Sequence, residues 1–225
     1  MHRIIIAIDG FSGCGKSTTA RQVAQNLNYS YIDTGAMYRA VTLYFLDHGV
    51  DASDPSAVDN ALRHIEVSFK TDHDGVSRTF LNGQNVEDQI RSMRVAGEVS
   101  RISAIPAVRK AMVVQQHMMG ARRGLVMDGR DIGTVVFPNA ELKIFLTADI
   151  KIRAERRQLE LRLKGTEIAL DEIIKNLTER DLADSTRAES PLKKAQDAVT
   201  IDTSEIGISE QVNRVIALAR QRMES

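Results

Sequence analysis

The chain has 225 residues, of which 43% are hydrophobic and 27% charged, so it carries enough apolar surface for a substantial core and reads as a soluble α/β protein. Thirty basic residues balance thirty acidic ones, which excludes an overall field drawing the protein to nucleic acid or an anionic membrane. The single cysteine, Cys14, excludes an intrachain disulfide, and no run approaches the ~20 apolar residues of a membrane span. A cytoplasmic monomer acting on small molecules is the expectation, and any anion site must come from locally placed arginines.

In chain order, Ile4–Ile8 is a nearly unbroken β-branched run, as suits a strand buried on both faces. It is too short for a signal h-region and runs into a glycine loop instead of a cleavage site. Helical stretches are expected at Lys16–Leu27, Ala36–Asp47, Ala107–Ala121 and Ile152–Leu163, and further strands at Tyr29–Asp33, Leu125–Asp128, Leu142–Leu146 and Ala198–Asp202. A last helix from about Ser209 places Val212, Val215, Ile216, Ala219 and Met223 along one face. This alternation predicts βα units on a five-stranded parallel sheet flanked by helices. Residues 63–102 interrupt it: Val67–Phe69 and Ser77–Leu81 are strand candidates around a turn at Asp72-His73-Asp74-Gly75, and Asn82-Gly83 is a two-residue hairpin signal. A small antiparallel insertion is expected there.

Gly10-Phe11-Ser12-Gly13-Cys14-Gly15-Lys16-Ser17 matches GxxxxGK[ST] at every fixed position, with a strand before it and a helix after it, so Gly10 to Thr18 are the candidate ATP-binding residues. Glycines let backbone N–H groups converge on phosphates, and the helix N-terminus adds partial positive charge. Lys16 is placed to reach the β- and γ-phosphates and Ser17 to ligate magnesium. Such a loop serves switches, transport ATPases and small-molecule kinases alike. No NKxD guanine-reading motif follows it, nor an LSGGQ-type run.

Arginines beside acidic or hydroxyl residues recur where the strands end, the side on which open α/β sheets bind ligands. Asp33-Thr34-Gly35-Ala36-Met37-Tyr38-Arg39 offers a guanidinium that can grip a phosphate with two parallel hydrogen bonds. Asp128-Gly129-Arg130-Asp131 offers a strand-end carboxylate, Asp128, placed for magnesium and its waters. Arg180, Asp184 and Arg187, four and three apart, share a helical face, a pattern a surface ion-pair ladder gives equally well.

Together the segments IDGFSGCGKST, DTGAMYR, VRK at 108–110, MDGRDIGTVVFP with the KIFL strand after it, and ERDLADSTR resemble bacterial cytidylate kinases, across essentially the whole chain. The resemblance implies one P-loop kinase domain over 1–225, with an NMP-binding insertion at 63–102 and a short lid at 149–165. It implies transfer of the γ-phosphoryl of MgATP to CMP or dCMP. Arg39 and Arg130 would then hold the acceptor phosphate with Thr34 beside them, and Ser100, Arg109 and Asp131 would read cytosine. Arg180 and Asp184 would meet the sugar, and Arg187 would support the acceptor site.

The chemistry agrees with that assignment. The exocyclic amino group of cytosine is a donor suited to an ionised Asp131, and its N3 and O2 are acceptors suited to Arg109 and Ser100. Uracil reverses the polarity at the 4-position, a mismatch sufficient for about 10²–10⁴-fold discrimination. A kinase for another small acceptor, or a non-catalytic nucleotide switch, would keep the P-loop without needing these readers.

The stretch from Asp149 to Lys164 reads as a helix ending before Gly165, with Arg153, Arg156 and Arg157 on one face. As lid arginines, Arg153 and Arg157 would meet the charge that spreads over the γ-phosphoryl oxygens, while closure excludes water. Cys14 has two readings. Neighbouring N–H groups and Lys16 favour a reactive thiolate, whereas a small apolar position in the packing beneath the loop favours an inert one.

Overall fold

The computed structural model describes residues 2–71, 77–163 and 165–224. The first half runs β1 (Ile5–Gly10), α1 (Lys16–Leu27), β2 (Ser30–Asp33), α2 (Thr34–Asp47), α3 (Pro55–Leu62), β3 (Val67–Thr71), β4 (Ser77–Leu81), β5 (Gln84–Asn85), α4 (Met93–Ser103) and α5 (Pro106–Gly120). The second half adds β6 (Leu125–Gly129), β7 (Leu142–Thr147), α6 (Ile150–Leu163), α7 (Leu170–Thr186), β8 (Val199–Asp202) and α8 (Ile208–Glu224). The chain divides into two compact units, one made of Met1–Tyr31 with Arg122–Ser225 and the other of Ile32–Ala121.

The first unit is built on a five-stranded sheet of order β2-β6-β1-β7-β8. β1 pairs in parallel with β6 and β7, and β7 with β8. β2 joins it through Ser30, whose N–H donates to the Gly124 carbonyl at 2.9 Å. Alternate residues Ile4, Ile6 and Ile8 face one side of β1 and pack with Val126, Ile144 and Leu146 of its neighbours. Val23 of α1 and Val212, Val215 and Ala219 of α8 close that layer, so the apolar stripe expected of the last helix is its buried face. α6 and α7 pack on each other through Ala154, Ile173 and Leu177.

The second unit contains the interruption foreseen in the alternation. β3, β4 and β5 form a three-stranded antiparallel sheet, with Val67 opposite Leu81 and Leu81 opposite Gln84. Asn82 and Gly83 turn the chain at φ 50° and 81°, as a type I′ hairpin turn requires. The proposed turn at Asp72–Gly75 lies outside the described residues. Around this sheet stand helices that periodicity did not assign. α3 starts at an Asp54 cap with Pro55 in its first turn, and α4 starts at a Ser92 cap and buries Val95, Val99 and Ile102. Residues 63–102 are therefore part hairpin and part helix.

Elsewhere the boundaries moved little. α1 spans the expected Lys16–Leu27, while β1 continues through Asp9 and Gly10 because both pair with β7. Lys164, the last residue of the expected lid helix, lies outside the described residues. Arg187 was expected on a helical face, but α7 ends at Thr186 and Arg187 follows it with extended backbone angles.

Candidate active site

β1 delivers the phosphate loop directly into α1. Gly10 is required where the strand ends, since its φ is 146° and a Cβ would strike the Leu146 carbonyl of β7. Gly15, at φ 85°, is the N-terminal cap of α1 and lets the loop turn into the helix. The loop is tied down from outside, with Thr203 Oγ1 donating to the Cys14 carbonyl at 3.2 Å and Thr19 Oγ1 donating to Gln211 Oε1 at 2.8 Å. Thr18, expected to continue the loop's nucleotide contacts, is exposed at the start of α1.

Lys16 is buried, and its ammonium donates to the Phe11 carbonyl at 2.6 Å. Burial, reinforced by the Arg130 guanidinium, lowers its pKa to about 7. Ser17 Oγ donates to Asp128 Oδ2 at 2.9 Å, so two side chains read as magnesium-associated from separate segments meet here. Their hydroxyl and carboxylate oxygens are the hard donors that magnesium takes. The register explains the meeting, because Ile8 of β1 is paired with Asp128 of β6 and Asp9 with Gly129.

After β6 the chain makes one π-helical turn, Ile132–Val136. Asp9 anchors its start, with its two carboxylate oxygens accepting from the Ile132 and Gly133 N–H groups, each at 2.8 Å. Burial raises the Asp9 pKa to about 7, against the pull of those two hydrogen bonds. Asp9 thus pins the turn that presents Arg130 and Asp131. Sequence reasoning passed over it, although a lone carboxylate closing an isoleucine strand was a visible signal.

The predicted acceptor residues of this unit form one network. Arg130 Nε donates to Asp184 Oδ2 at 2.8 Å, Arg187 Nη1 donates to Asp184 Oδ1 at 3.3 Å, and Arg187 Nη2 lies 4.0 Å from Asp131 Oδ1. Arg187 also donates twice to the Ser190 carbonyl. Against the burial that would raise it, the Asp184 carboxyl is held below the ordinary carboxylate range by the paired Arg130 guanidinium, with help from Arg180 one helical turn before it and from Arg187. In the other unit, Arg39 Nη2 donates to Asp33 Oδ2 at 3.2 Å, while Asp33 Oδ1 caps α2 through the Ala36 N–H. Thr34 is buried at the start of that helix. Arg109 is buried over the Tyr38 ring and donates to the Ser103 carbonyl, and Ser100 is exposed on α4. A cavity of about 700 Å³ between α3 and α5, lined by Pro55, Val58, Leu62, Ile105 and Pro106 among others, includes none of these residues.

Arg153, Arg156 and Arg157, three of the four arginines of α6, have different surroundings. Arg153 is buried, donates to the Ala148 and Ser12 carbonyls and to Asp181 Oδ2, and lies over the Phe11 ring. Arg156 donates to Thr203, and Arg157 is exposed beside Glu160. Arg153 thereby braces the phosphate loop through Ser12, a role its helical spacing did not reveal. Asp181, also absent from the sequence reading, holds it there.

Cys14 settles between its two readings by packing. Its side chain has no solvent exposure, belongs to the apolar layer with Val23 and Val212, and has its pKa raised by burial despite Lys16 and Arg153. A thiol alkylator is therefore expected to label it at the slow rate of a buried thiol whether or not MgATP is present, and Cys14→Ala should stay active. Rapid labelling that MgATP blocks would show that the thiol reaches the phosphate side of the loop.

A parallel sheet carrying this loop on β1 and a strand-end carboxylate on the adjacent β6 defines a P-loop kinase fold. Solved structures share it at low identity. A shikimate kinase from Bacteroides thetaiotaomicron superposes at TM-score 0.52 and 15% identity, covering 97% of this chain and 99% of that one. An uncharacterized protein from Eubacterium ventriosum reaches 0.54 at 13% identity, covering 98% and 99%.

Sequence comparison is narrower. The cytidylate kinase family model matches residues 6–221. Proteins described as cytidylate kinase from Cytophaga hutchinsonii and Bacteroides fragilis are 55% and 52% identical, over 99% and 96% of this chain and 96% of each relative. The chain belongs to the cytidylate kinase family.

Proposed function

We propose that the chain transfers the γ-phosphoryl group of ATP, with magnesium, to CMP or dCMP, giving ADP and CDP or dCDP. The observation that carries this reading is the register of β1 on β6, which sets the phosphate loop beside Asp128-Gly129-Arg130-Asp131 in a chain of this family. The alternatives of another acceptor or a non-catalytic switch draw no support from that combination.

The loop N–H groups from Gly10 to Thr18 and the Lys16 ammonium hold the ATP phosphates. Ser17 and Asp128, directly or through water, would hold magnesium, which would supply charge neutralisation at the β- and γ-phosphates. Arg39 and Arg130 take the acceptor phosphate, Thr34 lends a hydroxyl, and Arg187 and Asp184 keep Arg130 in place. Arg180 and Asp184 meet the sugar. Ser100, Arg109 and Asp131 read the base, Asp131 by accepting from the amino group that uracil lacks. Arg153 and Arg157 on α6 supply positive charge near the transferring group, with 149–165 as the lid. No covalent intermediate is needed, because positioning and charge stabilisation suffice for phosphoryl transfer. None of the described helices is long and apolar enough to cross a membrane, and we propose a monomer acting on small nucleotides.

ADP release coupled to a panel of CMP, dCMP, UMP, AMP and shikimate tests this directly. CMP and dCMP should be good acceptors and UMP worse by about 10²-fold or more in kcat/KM. Equal kcat/KM for UMP and CMP would remove the base-reading roles while leaving a kinase, and no turnover with any nucleotide would remove the kinase.

A further inference from the structure

We propose that Tyr31 is a positioning residue for the Asp128 carboxylate, fixing which of its two oxygens faces the Ser17 hydroxyl. The inference rests on the reading of Asp128 as a magnesium-associated group and adds to it a residue that no motif contains. An aspartate at a strand end can rotate broadly about its last torsion, so its two oxygens are interchangeable unless each is claimed separately. Here each is. Oδ2 accepts from Ser17 Oγ at 2.9 Å, and Oδ1 accepts from the Tyr31 phenol at 2.8 Å. Both distances are ordinary for O–H···O bonds.

The donor on the Oδ1 side is well suited to hold that orientation. Tyr31 stands on β2 with its ring half-buried, and the Arg21 guanidinium lies over the ring at 5.6 Å from its centre. Arg21 is four residues beyond Ser17 on α1, so one helix face supplies both the hydroxyl at Oδ2 and the cation over the ring that serves Oδ1. When the Ser17 hydroxyl turns to a metal ion, it stops donating to Asp128, and the phenol still claims the other oxygen. A neutral donor is the appropriate kind for that task. A lysine or arginine in its place would orient the carboxylate equally well but repel the cation that the carboxylate serves.

Calorimetric titration with a non-hydrolysable ATP analogue, once in EDTA and once with saturating Mg²⁺, gives the metal's contribution as the ratio of the two Kd values. Tyr31→Phe keeps the ring and removes only the hydroxyl, and far-UV circular dichroism checks that the fold is retained. The expected result is a loss of about tenfold in that ratio, the lower end of what removing a partner of a metal-binding group costs, with the EDTA value unchanged. An unchanged ratio would overturn the proposal. So would an equal weakening in EDTA, because the ring hydroxyl would then be supporting the loop and not the carboxylate. Asp128→Asn, measured alongside, separates the two levels of inference. If it too keeps the wild-type ratio, the magnesium reading of Asp128 falls. If it lowers the ratio and Tyr31→Phe does not, only the role of Tyr31 falls.

Discussion

Lys16→Ala is expected to lower kcat by about 10²–10³-fold, the usual cost of removing one preorganised donor from a site where transition-state charge develops. The lysine is buried at the start of α1 with its ammonium 2.6 Å from the Phe11 carbonyl, so its position is fixed before any phosphate arrives. The alanine variant leaves the glycines of the loop and their N–H groups in place, and ATP affinity should therefore fall much less than turnover.

A second signature accompanies the loss. Burial, aided by Arg130, holds the free-protein pKa of Lys16 at about 7. Phosphates beside it favour the charged form and raise that value. Above pH 7 the bare protein carries a largely neutral lysine, so ATP binding should take up a proton. Well below pH 7 the lysine is already charged and its uptake disappears. Calorimetry in two buffers of different ionisation enthalpy reads this directly. Proton uptake at pH 8 that survives in Lys16→Ala would assign it to another group.

The parts of this site legible in the sequence are those whose cause is local. The GxxxxGK[ST] loop needs its glycines for backbone angles and its lysine for reach, so the motif carries its own geometry, and α1 follows with the expected bounds. The Asn82-Gly83 turn is legible for the same reason, since few other pairs adopt two successive positive φ angles. α4 was legible in principle, with Val95, Val99 and Ile102 at helical spacing behind a serine cap, but a preceding hairpin masked the change of period.

The rest depended on partners far along the chain. Nothing in IGTVV announces that its first two N–H groups are held by Asp9, more than 120 residues earlier. Arg153 has the spacing of a lid arginine, yet its surroundings are set by Asp181, Ser12 and Phe11. Cys14 was balanced between two readings until the packing of α1 and α8 on β1 enclosed it. Periodicity assigns a residue to a face, and only the tertiary pairing says what that face meets.

Arg130→Ala is expected to lower kcat/KM for CMP by about 10²–10³-fold while leaving ATP affinity nearly unchanged. Burial alone would lower the Arg130 pKa and raise that of Asp184, but their 2.8 Å pairing outweighs it on both sides, so the guanidinium stays charged and the carboxylate ionised. Truncation would leave the half-buried Asp184 with Arg187 at 3.3 Å and Arg180 one turn away, which limits the damage to the fold. Some destabilisation should remain, at or below the low end of the about 3–5 kcal/mol seen when one member of a buried ion pair is removed, given the partial exposure of this one. Arg130→Lys keeps the charge and loses the planar fork, so it should retain more stability than alanine and recover only part of the turnover. Separate calorimetric titrations with CMP and with the non-hydrolysable ATP analogue decide the matter. A loss confined to CMP supports Arg130 as the acceptor-phosphate group, and an equal loss for both nucleotides would place it with the donor phosphates instead.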